Sequence, residues 1–367
     1  MSNSECRWGF VSTAGIARKC WKAISLSGNG RVSAVASRST AKAQQFIDEC
    51  QSQVPLATPA VAVGSYEELF ARDDVDAVYI PLPTGIRKQW VIKAAEAGKH
   101  VLVEKPVAIN AKDASEMIEA CEMAGVQFMD GVMFDHSRRL AAIRETLAAG
   151  DVVGKLRRIY AHFSFAGDTE FQRHNIRTNS ELEPQGCLGD LGWYCIRFIL
   201  WAADLQMPTN VSARVISTLQ GDDSDGKVPG ELSAELQFAD GLSASFYCSF
   251  ITENQQTAIV SGTKGYLTVE DYVLPFYDAE AVWNEHQHVL EIDNCRWNFR
   301  RHTNRRAVPE YAAGEPNAAE VNMVRTFGQS VVDNNVDPSY AELTLKTQRI
   351  LDACLKSDAS GGKQIQP

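Results

Sequence analysis

The sequence predicts an α/β protein: a doubly wound parallel sheet comes first, then an α+β region built on a mostly antiparallel sheet. Three observations carry this expectation. Strands and helices alternate over the first third, hairpin-like period-two patterning follows after Gly131, and 367 residues exceed what one ordinary core fills. Arg7–Ser12 reads as the first strand and Ile16–Leu26 as the helix after it, and Arg31–Ser37 with Thr40–Gln51 repeats the pair. Ser65 and Glu68 have capping-box spacing and start a short helix. Ala77–Ile80 is an apolar strand, Ile86–Ala97 an amphipathic helix stopped at Gly98, and Val101–Glu104 a further strand. Asn110 is placed to cap a helix over Ala111–Ala124, Gly125 ends it, and Gln127–Gly131 is the next strand. Strands this apolar are buried on both faces, which in such an alternation means a parallel sheet.

After Gly131 the rhythm changes. Arg138–Ala149 reads as helix and Lys155–Phe165 as strand, followed by a polar, irregular stretch to Gly186 and a helix over Leu188–Ala202. Glu231–Phe238 and Leu242–Phe250 alternate in period two around Asp240-Gly241, a hairpin signal. Thr257–Val260 and Tyr266–Val269 flank a second turn, Gly262-Thr263-Lys264-Gly265. The segment from Asp271 to Pro316 is rich in Trp, Asn and Arg and is expected to form long loops. Helices over Ala318–Val332 and Tyr340–Ser357 finish the fold, and the tail Asp358–Pro367 is expected to be mobile. Two domains are expected, 1–131 and 132–367, with the helix over 340–357 a candidate to pack back on the first.

Composition narrows the function. A formal charge of -10 argues against nucleic acid or an anionic membrane as the main partner, because both demand a basic face. The nine cysteines are scattered with no C-x-x-C pair, which points to thiols in a reducing compartment and away from a metal site or a disulfide framework. The start of the chain lacks the apolar stretch of a signal peptide, and the most apolar run, Gly192–Leu205, contains Arg197 and Asp204. A cytosolic protein is the expectation.

Open parallel sheets bind ligands at the carboxyl ends of their strands, and the first strand–turn–helix is the usual phosphate contact. Here Ser12-Thr13-Ala14-Gly15-Ile16-Ala17 places small residues at Ser12, Ala14 and Ala17, the three fingerprint positions. Small residues there admit a pyrophosphate to the helix N-terminus, although the turn alone is equally compatible with tight packing. At the end of the second strand stand Ser37, Arg38 and Ser39, with Lys42 one turn on, where an NAD site usually carries an acid. A guanidinium and hydroxyls suit a 2′-phosphate, so NADP is expected over NAD. The alternative is a solvated arginine beside a helix cap.

Glu104-Lys105-Pro106, following Ala97-Gly98-Lys99-His100-Val101-Leu102-Val103, resembles the signature of the Gfo/Idh/MocA oxidoreductases. Pro81-Leu82-Pro83-Thr84, Gly189-Asp190-Leu191-Gly192-Trp193-Tyr194 and Gly262-Thr263-Lys264-Gly265 are further landmarks in the family's order. The resemblance covers nearly the whole chain. It looks closest to the branch with dimeric dihydrodiol dehydrogenase, NADP-dependent xylose dehydrogenase and plant oxidoreductases. It implies a Rossmann domain followed by an α/β domain whose large open sheet forms a homodimer interface. It implies Lys105 as the catalytic lysine, with Asp190 and Tyr194 at the acidic and proton-transferring positions. Pro81, Leu82, Pro83 and Thr84 match the loop passing the nicotinamide side, Glu104 and Pro106 flank the lysine, and Arg177 sits where relatives have a similar triplet. One departure stands out: Arg87 occupies a place where relatives commonly carry His, which leaves it to line the cofactor site, to pair with phosphate, or to face solvent.

The chemistry is consistent. Moving a hydride to or from a carbinol carbon needs a group that moves the hydroxyl proton. Tyr194 serves if a nearby cation lowers its phenol from about 10, and Lys105 at a strand end supplies such a charge. Asp190 and Tyr194, four apart, share a helix face. His136 and Trp193 are further candidates to touch substrate; each also has an ordinary core or capping reading, as do His162 and His174. The leading expectation is an NADP-dependent dehydrogenase or reductase for a sugar, polyol or vicinal diol. The rival is a cofactor-binding regulator without turnover, which Arg87 favours and intact Lys105, Asp190 and Tyr194 oppose.

Overall fold

Six strands and five helices alternate at the start of the chain: β1 (Cys6–Val11), α1 (Gly15–Ser27), β2 (Gly30–Ala36), α2 (Thr40–Gln53), β3 (Val61–Val63), α3 (Tyr66–Phe70), β4 (Ala77–Ile80), α4 (Thr84–Glu96), β5 (His100–Val103), α5 (Ala111–Ala124) and β6 (Phe128–Asp130). In this computed structural model, which describes residues 5–367, the strands form one parallel sheet in the order β3-β2-β1-β4-β5-β6. The order reverses beside β1, the doubly wound arrangement that the strand–helix alternation predicts. Side-chain caps set several helix ends. Asn110 accepts from the Asp113 N–H at 2.8 Å and Gly125 closes α5 at φ 66°; Ser65 accepts from the Glu68 N–H at 3.1 Å. The Glu68 carboxylate reaches back to Gly64 N, one residue before the cap. β3, three residues at the sheet edge, is too short to show a period.

The second part begins with α6 (Arg138–Ala149), β7 (Leu156–Ala166), the short α7 (Thr169–His174) and α8 (Trp193–Ala202). There follow β8 (Asn210–Leu219), β9 (Val228–Gln237), β10 (Ser243–Ser249), β11 (Ile251–Gln255), β12 (Ala258–Gly262), β13 (Tyr266–Val269), β14 (Glu280–His286), β15 (Val289–Asp293), β16 (Arg296–Arg300) and β17 (Thr303–Pro309). Nine of these make one sheet, β17-β14-β13-β12-β7-β10-β9-β8, with β11 also against β7. All pairs are antiparallel except β7 with β10. Two last helices, α9 (Ala319–Val332) and α10 (Ser339–Ala359), end the fold.

The chain divides into two compact units. One takes the residues up to His136 with Asn179–Pro184 and Ala313–Arg349; the other takes Ser137–Thr178, Gln185–Ala312 and Ile350–Pro367. In the first unit Phe10 meets Trp21, Phe46 and Tyr79 edge-on, and α9 closes the core where Phe327 lies 5.0 Å from Trp8. In the second, α8 is almost wholly buried, and Phe198 contacts Tyr272 at 5.1 Å.

Three expectations fail, each for a physical reason. The segment 271–316 is not loop: it holds β14 to β17. Alternation is present in β15 and β16, but each half is short and interleaved with charge. Leu290 pairs with Phe299 and Ile292 with Trp297, so four large apolar side chains share one face, and all four are exposed. The stretch 166–186 contains α7, where Asp168 accepts from the Phe171 N–H at 2.8 Å. The tail is not mobile either. Ile365 exchanges two backbone bonds with Val211 at 2.8 Å each, and Ser212 Oγ donates to Gly362 O at 2.8 Å. Past Ser360, four hydrogen bonds worth about 0.5–1.5 kcal/mol each tie it to β8, with Arg214 on Gly361 O the fourth, and Ser357 Oγ also donates to Lys363 O at 2.6 Å. Ending the chain at Ser360 should therefore cost about 3–7 kcal/mol, read as a lower urea midpoint with little change in slope.

Candidate active site

The β1–α1 corner is built to receive an anion. Ser12 has φ 109°, a conformation that favours glycine, and stands at the first fingerprint position. Its N–H donates to Ala36 O at 3.0 Å and its Oγ accepts from Ala14 N at 3.3 Å, which holds the corner in place. Ala14 brings no side chain to cap α1, the first turn carries no acid, and the space where a Gly15 side chain would stand is open. The Ala17 N–H turns back to Ala14 O at 2.9 Å, so the Gly15 and Ile16 N–H groups and the positive end of the helix dipole are what this corner offers an external anion. Thr13 is half-buried and Ile16 is 42% exposed, beside this opening.

At the end of β2, Ser37 is buried and donates its N–H to Val63 O at 3.1 Å. Arg38 and Lys42 are exposed. Ser39 caps α2 by accepting from Lys42 N at 3.4 Å, a bond that uses an oxygen lone pair and leaves the hydroxyl proton to donate. These residues and the α1 terminus fit a dinucleotide.

Two loops follow β4 and β5. Pro81 and Leu82 are buried, and Thr84, also buried, starts α4. Thr84 donates its N–H to Glu183 Oε1 at 3.1 Å and its hydroxyl to Oε2 at 2.6 Å. Gly85 N donates to Leu182 O at 2.9 Å, and a Cβ on Gly85 would fall 1.9 Å from Glu181 O. Residues 179–184 therefore press as a strap on the start of α4. The reading of the sequence missed Glu183, because it lies in a polar stretch without period; a glutamate directly before Pro184 was the only signal. After β5, Glu104 accepts from the Tyr79 hydroxyl at 2.6 Å and from Lys105 N at 3.3 Å. Its carboxylate is thus spent within the protein. Lys105 is half-buried and Pro106 buried.

Arg87 needs a correction. It is 2% exposed, so it does not face solvent, and its guanidinium is turned to the backbone carbonyls of Leu82, Glu104, Pro106 and Val107 rather than outward to a phosphate. His136 ends a 3-10 turn (Met133–His136), its ring stacked 6.0 Å from Tyr340.

In the second unit, the helix expected over Leu188–Ala202 opens with a π-helical turn, Leu188–Gly192, before α8. Such turns occur disproportionately at functional sites, and this one carries Asp190. Asp190 Oδ2 accepts from Arg177 Nε at 2.7 Å, which joins two predicted site residues. Tyr194, on the first turn of α8, is 6% exposed and lies edge-on to Phe163 at 5.7 Å. Trp193 is 0% exposed: it is core, and no sugar ring can stack on it. His162 sits between Tyr160 and Ser164 in β7. His174 ends α7, 3.8 Å from Glu170. Among the described residues no group of three or more His, Cys, Asp or Glu is arranged to hold a metal ion, and no helix is long and apolar enough to cross a membrane.

Comparison with known proteins agrees with this architecture. Residues 6–132 match the family model described as an oxidoreductase family with an NAD-binding Rossmann fold, and residues 140–268 match the GFO/IDH/MocA C-terminal domain. The chain is 32% identical over 271 residues to trans-1,2-dihydrobenzene-1,2-diol dehydrogenase of Mus musculus, covering 73% of this chain and 76% of the relative. It is 34% identical over 260 residues to D-xylose 1-dehydrogenase (NADP(+)) 2 of Haloferax volcanii, covering 71% and 74%. In fold it is similar to the 3-ketoreductase KijD10 of Actinomadura kijaniata, solved with NADP and TDP-benzene, at a TM-score of 0.78 and 24% identity over 96% of this chain and 98% of that one.

Proposed function

The chain belongs to the GFO/IDH/MocA oxidoreductase family, and from that premise we propose that it is an NADP-dependent dehydrogenase or reductase acting on the CH–OH or C=O group of a sugar, polyol or vicinal diol. The substrate class follows the relatives, which are named for a dihydrodiol and for D-xylose. The observation that carries the catalytic reading is Lys105, two residues past β5 at the carboxyl end of the parallel sheet, where such sheets bind ligands. When bound, the dinucleotide supplies or takes up the hydride. Lys105 holds the substrate oxygen and its charge favours the alkoxide-like form, Tyr194 moves the hydroxyl proton, and Asp190, oriented by Arg177, positions the group that needs it. Residues 1–131 serve as the dinucleotide domain and 132–367 as the substrate domain. A homodimer through the half-exposed sheet face of Arg158, Tyr160 and Tyr247 fits both the family and the polar, aromatic character of that face. Nine free cysteines, eight of them buried, suit the cytoplasm.

The test is direct. Purified protein is mixed with NADPH or NADP and a panel of aldoses, ketoses, polyols and vicinal diols, and nicotinamide absorbance is followed. Turnover with at least one class is expected. Tight dinucleotide binding with no turnover across the panel would favour the regulator instead, a reading that Arg87 no longer supports.

The preference for NADP rests on Arg38, Ser39 and Lys42. Arg38→Ala should raise the KM for NADPH by about 10- to 100-fold, the loss of one charge-assisted phosphate contact, and leave that for NADH within about threefold. Equal effects on both cofactors would remove the assignment.

A further inference from the structure

We infer that Arg87 is a positioning residue, a carbonyl clamp that joins the loop before α4 to the segment carrying Lys105 and so sets how that lysine is presented. The inference rests on the role proposed for Lys105.

Arg87 lies in the first turn of α4 and is buried. Nε donates to Leu82 O at 2.9 Å, and Nη2 donates to the same oxygen. Nη1 donates to Glu104 O at 2.6 Å, to Pro106 O, and at 3.4 Å to Val107 O. One edge of the guanidinium thus holds the β4–α4 loop, and the other holds the residues on both sides of Lys105. Every one of these acceptors is a backbone carbonyl. A side-chain acceptor would turn on its own rotors, but these carbonyls shift only if the backbone shifts. The planar fork suits the task, since its donors diverge at fixed angles, whereas a lysine offers donors from one point and a histidine has two ring nitrogens.

A buried cation needs compensation. Burial pushes the Arg87 guanidinium down from its usual value, and the nearby Glu183 and Glu104 carboxylates oppose that shift. Glu183 is itself fixed by two bonds from Thr84, and Glu104 by the Tyr79 hydroxyl. The helix start, the strap and both loops therefore meet around one buried cation flanked by two carboxylates, with the Lys105 backbone at the rim. Losing the guanidinium would take a donor from each of four carbonyls, of which Pro106 O keeps the Thr84 hydroxyl at 3.3 Å, and would leave two carboxylates short of a counter-charge.

The test compares wild type, Arg87→Lys and Arg87→Ala in the nicotinamide assay, with peptide-level amide exchange over 82–86 and 104–109. In Arg87→Ala, kcat should fall about 100-fold, a loss of transition-state stabilisation of the size one buried charged contact provides. The Kd for NADPH should stay within about threefold. Guanidinium at low, non-denaturing concentration should restore at least about tenfold of that kcat and the lost amide protection, and should do neither for wild type. Arg87→Lys keeps the charge without the fork and should lose about tenfold in kcat, which maintains the test if the alanine variant does not fold. Either variant with kcat and amide protection at the wild-type level overturns the clamp. A wild type that turns over nothing on the panel sinks the role of Lys105 instead, and amide exchange then decides the clamp by itself.

Discussion

Lys105→Met is expected to lower kcat by about 10³-fold or more with dinucleotide affinity nearly unchanged, and Tyr194→Phe to do much the same, since a positioned acid–base group contributes about 10²–10⁴-fold. Both substitutions conserve shape. Methionine keeps the length of the lysine stem without its charge, and phenylalanine keeps the ring that packs edge-on to Phe163. Fold and dinucleotide site should thus be spared, and kcat and kcat/KM should fall together, the signature of an interaction made in the transition state. Stopped-flow rates and NADPH fluorescence titration of the two variants separate chemistry from binding. Turnover at the wild-type rate in both would remove the mechanism; a loss of binding equal to the loss of rate would move Lys105 into the cofactor site.

The largest expected stability effect lies at Arg139, 1% exposed on the first turn of α6. Its Nη1 pairs with Asp271 Oδ1 and donates to Val282 O at 3.0 Å, and its Nη2 donates to Asp271 O at 2.8 Å. The other Asp271 oxygen accepts from Phe276 N at 2.8 Å. One guanidinium therefore ties α6 to the chain entering β14. Arg139→Met would leave a buried carboxylate without its counter-charge, a change that costs about 3–5 kcal/mol. A denaturant midpoint within error of wild type would show the pair to be dispensable. Removing both partners, as Arg139→Met with Asp271→Asn, should recover part of the loss, since no bare charge then remains.

How much of this was legible in the sequence depended on whether the signal was local. Asn110 with Gly125 and Ser65 with Glu68 mark their helices, because a cap is chosen by the few residues that touch it. The apolar run Ala77–Ile80 announces a strand buried on both faces for the same reason. The β14–β17 region was hidden because its strands hold one buried face at most, and Arg, Asn and Glu fill the alternate positions. The π-turn at Asp190 was invisible, since no residue type demands it. Lys105, Asp190 and Tyr194 were found through motif resemblance rather than through pattern. Arg87 was noticed for its identity, but nothing in the chain says that its guanidinium will turn inward onto the backbone carbonyls of Leu82, Glu104, Pro106 and Val107. Trp193 illustrates the reverse error, an aromatic beside a site residue that the helix rotates into the core.

The pairing of Ile365 with Val211 has a bearing on solubility. An unclosed sheet has two raw borders, each a row of amide groups ready to recruit a stranger's strand. Here residues 361–365 hem one border along β8, and Arg305, Arg306 and Pro309 blunt the other along β17. A protein trimmed of its last residues would keep its fold's outline and lose its hem, leaving β8 to stack against its own kind.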